Sequence, residues 1–107
     1  TRDDILLICS ASGETPMLVE HAAKAKKVGA AIMLITTSEA SSLAVLSDSM
    51  ITIDASSKTT RSDASVQPMG SLFEQSTAIL LDIIVLCLME KHGISSDDMY
   101  RNHSNLE

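Results

Sequence analysis

Three hydroxyl side chains, Ser10, Ser12 and Thr15, lie around Gly13 in a short turn that Pro16 follows directly. Proline is favoured at the first position of a helix, so Thr15 is expected at the N-cap. Unpaired backbone N–H groups and the positive end of the dipole make such a helix start a binding site for anions. The hydroxyls add donors, and the glycine lets a ligand approach the backbone closely. The turn therefore predicts an anion site, with an ordinary threonine-capped strand-to-helix turn as the alternative.

Glu74 is the carboxylate at the start of a long apolar helix predicted for residues 71–92. Its spacing from Ser71, Ser-x-x-Glu before an apolar run, is typical of a capping box, and spacing alone favours that structural role. A carboxylate at a helix start, beside Phe73, is also a candidate proton acceptor whose pKa the surroundings can shift in either direction. Both interpretations of Glu74 stay open on these residues alone.

The elements that position these residues alternate strand and helix in the first half of the chain. Apolar runs predict strands at residues 5–9, 30–36 and 50–53, and helical spacing predicts helices at residues 16–28 and 43–46. This order predicts a doubly wound parallel α/β sheet with right-handed crossovers. Ligands of such sheets bind beyond the carboxyl ends of the strands. The turns after Cys9 and Thr36 are both expected at that edge.

A polar stretch at residues 54–68 is expected to be a loop, and loops of this length are usually functional or mobile. The helix that follows is apolar around most of its circumference, which predicts burial on more than one side. In a domain this small, that burial implies a partner subunit or further chain. Ser95 or Ser96 can cap a last short helix that runs through Asp97 to Tyr100.

Composition narrows the classes of protein. The 107 residues are enough for one domain, and the net charge of −6 with one Tyr and one Phe excludes a basic, aromatic nucleic-acid surface. Cys9 and Cys87 lie in apolar runs and are expected to be reduced and buried, as in a cytosolic protein. No His/Cys/carboxylate cluster has the spacing of a metal site.

No signal peptide is apparent, and no membrane contact is expected. The apolar stretch 78–89, interrupted by Asp82, is shorter than the roughly 20 residues that a bilayer span needs. The chain starts at Thr1 and reaches a core strand within a few residues, which suggests a fragment whose N-terminal part is missing.

Two segments carry a resemblance to a known family. The turn Ser-Ala-Ser-Gly-Glu-Thr at residues 10–15 resembles the sugar-phosphate-binding loop of SIS (sugar isomerase) domains, usually Ser-x-Ser-Gly-x-Thr. The segment Ser-Val-Gln-Pro-Met-Gly-Ser-Leu-Phe-Glu-Gln at residues 65–75 resembles the one characteristic of 6-phospho-3-hexuloisomerases, and residues 99–107 are similar to that family's C-terminus. Ala11 departs from the glycine of many members.

The resemblance implies one SIS domain over residues 1–107, about the last three fifths of a typical member. It implies a three-layer, flavodoxin- or Rossmann-like fold with five parallel strands, and a cytoplasmic homotetramer with active sites near subunit contacts. The implied substrate is a sugar phosphate: D-arabino-hex-3-ulose 6-phosphate and D-fructose 6-phosphate interconvert through a cis-enediolate, as in the ribulose monophosphate pathway. No cofactor and no metal are implied. The missing part would supply an N-terminal helix and a strand–helix unit whose loop adds phosphate contacts.

By resemblance, Ser10, Ser12, Gly13 and Thr15 bind the phosphate, and Glu74 is the catalytic base. Among the histidines, His21 beside Glu20 is expected on the surface, and His92 before Gly93 suits a helix end. His103, in the tail that matches the family, is the candidate for moving oxygen protons, with a surface histidine as the alternative. Gln67 is a candidate contact to a sugar hydroxyl, or simply a polar loop residue.

Two other functions share these motifs. A non-catalytic sugar-phosphate sensor would use the same loop, normally behind a DNA-binding helical domain, and the segment around Glu74 favours an enzyme over it. Another SIS isomerase that acts on an aldose phosphate would share the chemistry and differ only in its substrate.

Overall fold

Strands and helices alternate through the first half of the chain. In the computed structural model, which describes residues 1–55 and 66–103, the strands are β1 (Ile5–Cys9), β2 (Ala31–Thr36) and β3 (Ser49–Thr52). The helices are α1 (Pro16–Val28), α2 (Ser42–Leu46), α3 (Ser71–His92) and α4 (Ser96–Arg101). Every helix and strand predicted from the apolar patterns is present, with bounds that differ by at most one residue. Most of the polar stretch predicted as a loop, residues 56–65, lies outside the described residues.

The three strands form one sheet in which β2 lies between β1 and β3, and both pairings are parallel. Leu6 and Ile8 of β1 pair in register with Ile32 and Leu34 of β2, so these apolar side chains share one face. The crossover helices α1 and α2 both cover that face. The parallel α/β fold predicted from the sequence is confirmed, and the described residues contain three of the five strands that the resemblance implies.

The hydrophobic core lies between this face and the two crossover helices. Ile32, Leu34 and Leu43 are each at most 1% exposed. Burying one such side chain stabilises the fold by roughly 1.5–3 kcal/mol. Ala22 of α1 is also fully buried and lets the helix approach the sheet. This packing holds the carboxyl ends of β1 and β2 beside the start of α1.

The two ends of α1 follow the sequence pattern. Thr15 is the N-cap residue with an extended backbone, but its side chain makes no capping hydrogen bond. Gly29 ends the helix in the left-handed conformation, φ 84°, with backbone bonds to the carbonyls of Ala25 and Lys26. The Thr15 hydroxyl therefore makes no hydrogen bond that caps α1.

The opposite face of the sheet is less covered on β1. Ile5 is 71% exposed and Leu7 43% exposed, whereas Ile35 of β2 is fully buried. Cys9 is exposed as well, and so is Cys87 of α3; both thiols are free. The prediction that the two cysteines are buried was wrong, because Cys9 ends a strand at the edge of the described sheet and no described residue covers the side of α3 that carries Cys87.

The chain divides into two compact units, Thr1–Thr77 and Ala78–Glu107. Helix α3 runs through the boundary, and Phe73 and Thr77, its only buried residues, belong to the first unit. In the second unit, the apolar residues Ile79, Ile83 and Leu86 are each at least half exposed. The described residues do not supply the burial predicted for α3, and the partner subunit or further chain that would supply it stays a prediction.

Helix α3 is also long and apolar enough to cross a membrane when judged by its length and composition alone. The sequence expectation counted only the stretch 78–89, whereas the helix extends over 22 residues. Core helices of soluble proteins meet the same criterion, so this is a weak indication of a span. Helix α4 in the same unit begins with a capping box between Ser95 and Asp98.

Candidate functional site

The turn between β1 and α1 folds back on itself through its own hydroxyl groups. Ser10 is buried, and its Oγ accepts a hydrogen bond from the Gly13 N–H at 3.2 Å. Ser12 Oγ accepts one from the Glu14 N–H at 3.3 Å. Serine side chains favour such local turns because their oxygens reach backbone donors two or three residues away. Both hydroxyls accept in these bonds, which leaves their protons available to a ligand.

The end of β2 holds the same turn at Ala11. The Ala11 carbonyl accepts hydrogen bonds from the Thr37 N–H at 3.1 Å, from Thr37 Oγ1 at 2.8 Å and from Thr36 Oγ1 at 3.1 Å. The turns after β1 and β2 thus meet at the carboxyl edge of the sheet, as predicted. Met69 is the only non-glycine residue with a positive φ in the described chain, so Ala11 needs no glycine conformation here.

Gly13 occupies a position that no other residue fits. It is buried and left-handed, with φ 68°. A Cβ there would lie 2.1 Å from Ser41 Oγ and 2.5 Å from Ser41 Cβ. The Gly13 carbonyl also accepts a hydrogen bond from the Leu43 N–H at 3.1 Å. The glycine is therefore required for close packing of the turn against α2, behind the surface that a ligand would meet.

Glu14 connects the turn to α2 through its side chain. Its two carboxylate oxygens accept from the Ser42 N–H at 2.8 Å and from Ser42 Oγ at 2.7 Å. These two bonds lower the pKa of Glu14 below its usual 4.5, and the bond from the Ser42 hydroxyl has the larger effect. The sequence analysis gave Glu14 no role. The family pattern leaves this position variable, and its contact depends on a residue 28 positions later.

A pocket of about 360 Å³ opens beside the turn. It has a loop wall, made of Ser10, Ser12 and Thr15, and a helix wall, made of Gly70, Phe73 and Glu74. Among the described residues, Cys9, Ala11 and Leu18 also line it. All of these residues belong to the first unit. The structure thus brings three predicted phosphate-binding hydroxyls and the predicted base to one pocket.

Glu74 enters this pocket from the first turn of α3. Its side chain is exposed, and its N–H donates to the Gly70 carbonyl at 3.0 Å. Helix α3 begins at Ser71, so Ser71 occupies the first helical position and not the N-cap that a capping box requires. The Ser71 N–H donates to the Pro68 carbonyl at 3.2 Å. Met69, in the left-handed region with φ 57°, turns the chain into this helix.

Of the two other predicted site residues, Gln67 does not line the pocket and His103 belongs to the second unit. Gln67 is half-buried, and its Nε2 donates to Gln75 Oε1 at 2.9 Å. His103 lies just after α4 in the second unit; it is exposed, and its N–H donates to the Tyr100 carbonyl at 3.1 Å. His21, the histidine of the first unit, is not among the lining residues.

The apolar residues that line the pocket were not predicted from the sequence, because only polar groups were expected to bind a ligand. Leu18 lies one turn into α1, and Phe73 is one residue before Glu74. Cys9 lines the pocket at the end of β1; although the residue is exposed, partial burial of its thiol raises the pKa and favours the neutral form. Within residues 1–55 and 66–103, no group of His, Cys and carboxylate side chains is arranged to hold a metal ion.

Comparison with known proteins matches this geometry. The SIS domain model matches residues 1–85. The 3-hexulose-6-phosphate isomerase of Bacillus subtilis is 41% identical over 106 residues, which cover 97% of this chain and 57% of that protein. The protein of the same name from Mycobacterium gastri is 38% identical over 105 residues, covering 97% of this chain and 53% of the relative. The chain thus spans little more than half the length of these relatives.

Solved structures agree. A crystal structure from Methanococcus jannaschii, described as inferring a function of 3-hexulose-6-phosphate isomerase, has a TM-score of 0.83 and 25% identity, covering 99% of this chain and 56% of that one. An Escherichia coli protein in complex with arabinose 5-phosphate has a TM-score of 0.75 and 26% identity, covering 95% and 52%. Because the family model matches residues 1–85, most of this chain, and the hydroxyl turn is in place, the chain belongs to the SIS domain family.

Proposed function

We propose that the full-length protein interconverts D-arabino-hex-3-ulose 6-phosphate and D-fructose 6-phosphate through a cis-enediolate. The observation that carries the proposal is that Glu74 lines the same pocket as the hydroxyls of Ser12 and Thr15. Two relatives that match nearly all of this chain are named 3-hexulose-6-phosphate isomerase. The protein is accordingly an isomerase of sugar phosphates.

The loop wall is the phosphate anchor in this proposal. Ser12 and Thr15 donate their hydroxyl protons, and the first N–H groups of α1 add backbone donors with the positive end of the dipole behind them. Ser10 and Gly13 hold the turn from behind, although Ser10 also reaches the pocket surface. An anchor of this kind places the sugar carbons at a defined distance from the helix wall.

Glu74 transfers the proton in this proposal. Moving the carbonyl from C3 to C2 needs one base that takes a proton from one carbon and returns it to the other. A carboxylate at the pocket wall is suited to this task, and the apolar side chains of Phe73 and Leu18 line the same pocket. The reaction as proposed uses no redox cofactor and no metal.

The remaining assignments concern the assembled protein. We assign His103 to the movement of protons between the sugar oxygens, across a subunit boundary, and Gln67 to a sugar hydroxyl. We take the exposed apolar side of α3 to be covered by another subunit in a homo-oligomer, a tetramer in this proposal. A single SIS domain over residues 1–107, in a cytoplasmic enzyme of the ribulose monophosphate pathway, completes the proposal.

The alternative substrate is an aldose phosphate. An E. coli structural neighbour binds arabinose 5-phosphate, and the same pocket chemistry would isomerise it. A non-catalytic sugar-phosphate sensor is the other alternative. It would need the loop wall and would have no use for a carboxylate at the helix wall.

Incubation of the full-length protein with fructose 6-phosphate in D₂O tests the proposal. We expect NMR to show the 3-hexulose phosphate and some deuterium at the carbon that receives the proton, because an exposed carboxylate can exchange its proton with solvent. Arabinose 5-phosphate should turn over much more slowly. Tight binding of fructose 6-phosphate without turnover would favour the sensor, and faster conversion of arabinose 5-phosphate would favour the aldose isomerase.

A further inference from the structure

Glu14 is the one residue of the hydroxyl turn that neither lines the pocket nor holds a role in the proposed reaction. It lies between Gly13 and Thr15, and its side chain points to α2. Both of its carboxylate oxygens are engaged by Ser42, through the N–H and through Oγ. Its own N–H donates to Ser12 Oγ. Glu14 is thus bonded to the anchor on one side and to a separate helix on the other.

Helix α2 depends on this contact because it has only five residues. A helix start leaves backbone N–H groups without partners inside the helix. At the start of α2, Ser41 Oγ accepts from the Ala44 N–H and Glu14 accepts from the Ser42 N–H. The acceptor for the Ser42 N–H is therefore supplied by the turn between β1 and α1. The two residues are 28 positions apart in the sequence, so their contact joins the turn after β1 to the turn after β2.

The orientation of the carboxylate explains how a negative charge is tolerated next to an anion site. Both oxygens face two Ser42 donors, and the pocket lining does not include Glu14. A carboxylate aimed at a phosphate dianion would weaken binding by repulsion. Held against α2, it fixes the main chain between Ser12 and Thr15 without contacting the ligand.

We propose that Glu14 is a positioning residue for the phosphate anchor, which orients Ser12 and Thr15 by clamping their turn to the first turn of α2. This inference rests on the proposed function, because the hydroxyls that it orients are the proposed phosphate ligands. Positioning and charge make opposite predictions. If repulsion were the main effect of Glu14, removing its charge would tighten the binding of a phosphate ester; if positioning is the main effect, removal weakens binding.

The test uses the full-length protein with Glu14→Ala, Glu14→Gln and Ser42→Ala. Glu14→Ala should raise KM for the hexulose phosphate by about tenfold, comparable to one lost hydrogen bond, with kcat changed by less than about twofold. Glu14→Gln keeps the shape and part of the bonding, so its KM should lie between those of the wild type and Glu14→Ala. Ser42→Ala removes only the hydroxyl donor on the other side of the clamp, and should raise KM by a smaller factor.

Glu20→Ala is the matched control. It also removes an exposed carboxylate, one that pairs with Lys24 along α1, and should leave KM unchanged. Hydrogen–deuterium exchange of peptides that contain residues 10–16 provides a readout without any ligand. Exchange there should be faster in Glu14→Ala than in the wild type, and unchanged in Glu20→Ala.

An unchanged or lowered KM in Glu14→Ala would overturn the inference, and so would unchanged exchange of residues 10–16. If Glu14→Ala fails to fold, Ser42→Ala and Glu14→Gln decide by the same two readouts. A wild type that does not convert the hexulose phosphate would refute the proposed function instead. In that case the exchange measurement, with the affinity for inorganic phosphate, still decides whether Glu14 holds the turn.

Discussion

The turn at residues 10–15, which carries the loop wall of the pocket, is bonded to two neighbouring elements, β2 and α2. The helix wall, in contrast, lies at the first turn of a single helix, α3. The turn at residues 10–15 is held at Ala11 by the end of β2, at Gly13 by Leu43, and at Glu14 by Ser42. Helix α3 begins at Ser71, directly after the turn that contains Met69, and the side chain of its residue Phe73 is buried.

This difference corresponds to two separate tasks. A phosphate anchor gains affinity from donors that are fixed before the ligand arrives, because less freedom is lost on binding. Proton transfer needs an ionisable group that solvent and substrate can both reach, and exposed Glu74 is such a group. Changes in the loop wall should therefore act on binding, and changes in Glu74 should act on turnover.

Glu74→Gln should have the largest effect on turnover. Glutamine keeps the shape of the side chain but cannot accept the proton, so kcat should fall by about two to four orders of magnitude while the affinity for fructose 6-phosphate is retained. Steady-state kinetics and calorimetric titration measure the two quantities. Asp82→Asn, an exposed carboxylate later in the same helix, is the control. Normal turnover in a stable Glu74→Gln protein would remove Glu74 from the reaction.

Gly13→Ala should damage the loop wall most. The left-handed backbone costs about 1–2 kcal/mol for a residue with a Cβ, and the new Cβ overlaps Ser41 as well. Phosphate affinity should be lost together with stability. Gly93→Ala separates the two costs, because Gly93 has φ 63° and nothing lies within 4 Å of its added Cβ. The Tm of Gly13→Ala in thermal unfolding should be well below that of Gly93→Ala. Equal decreases in Tm would show that the overlap with Ser41 is unimportant.

Ser12→Ala and Thr15→Ala should each weaken the anchor by an intermediate amount. Loss of one neutral donor to a charged ligand costs roughly 1.5–3 kcal/mol, which should appear in the Kd for fructose 6-phosphate with little change in kcat. Ser49→Ala, an exposed serine outside the pocket, should bind normally. If both hydroxyl variants bind as tightly as the wild type, the loop wall is not the anchor.

The smallest effect should be a pH dependence of stability from Glu14. Because its pKa in the folded protein is lowered below 4.5, its contribution is present above that value and is lost as pH falls through the lowered pKa. The Tm of the wild type should exceed that of Glu14→Gln near neutral pH, and the difference should shrink below pH 4.5. A difference that is constant from neutral to acidic pH would mean that the carboxylate charge does not strengthen the clamp.

The local elements were well predicted because their signals are short-range. Apolar runs located all three strands, and the proline after Thr15 and the glycine after Val28 set the ends of α1 within one residue. The hydroxyl turn was identified by composition alone. The family resemblance, and not the spacing, selected Glu74 as the base over a cap, and the base assignment stays a prediction.

The placement of side chains could not be predicted to the same extent. Nothing near Glu14 in the sequence indicates Ser42, and the Gln67 side chain that was assigned to a sugar contacts Gln75 in the structure. The two cysteines lie in apolar runs yet are exposed. An apolar run identifies a strand or helix but not whether another element covers each of its sides.

The sequence by itself determined the order of the elements, the parallel sheet and the hydroxyl-rich start of α1, since backbone propensity and side-chain period act over a few residues. Only the tertiary structure decided that Glu74 and the hydroxyls of Ser12 and Thr15 share one pocket. It also decided that Glu14 joins two turns 28 residues apart. Such contacts depend on how the crossover helices pack on the sheet, because burial of apolar surface has no direction of its own and leaves the pairing of polar groups to the final geometry.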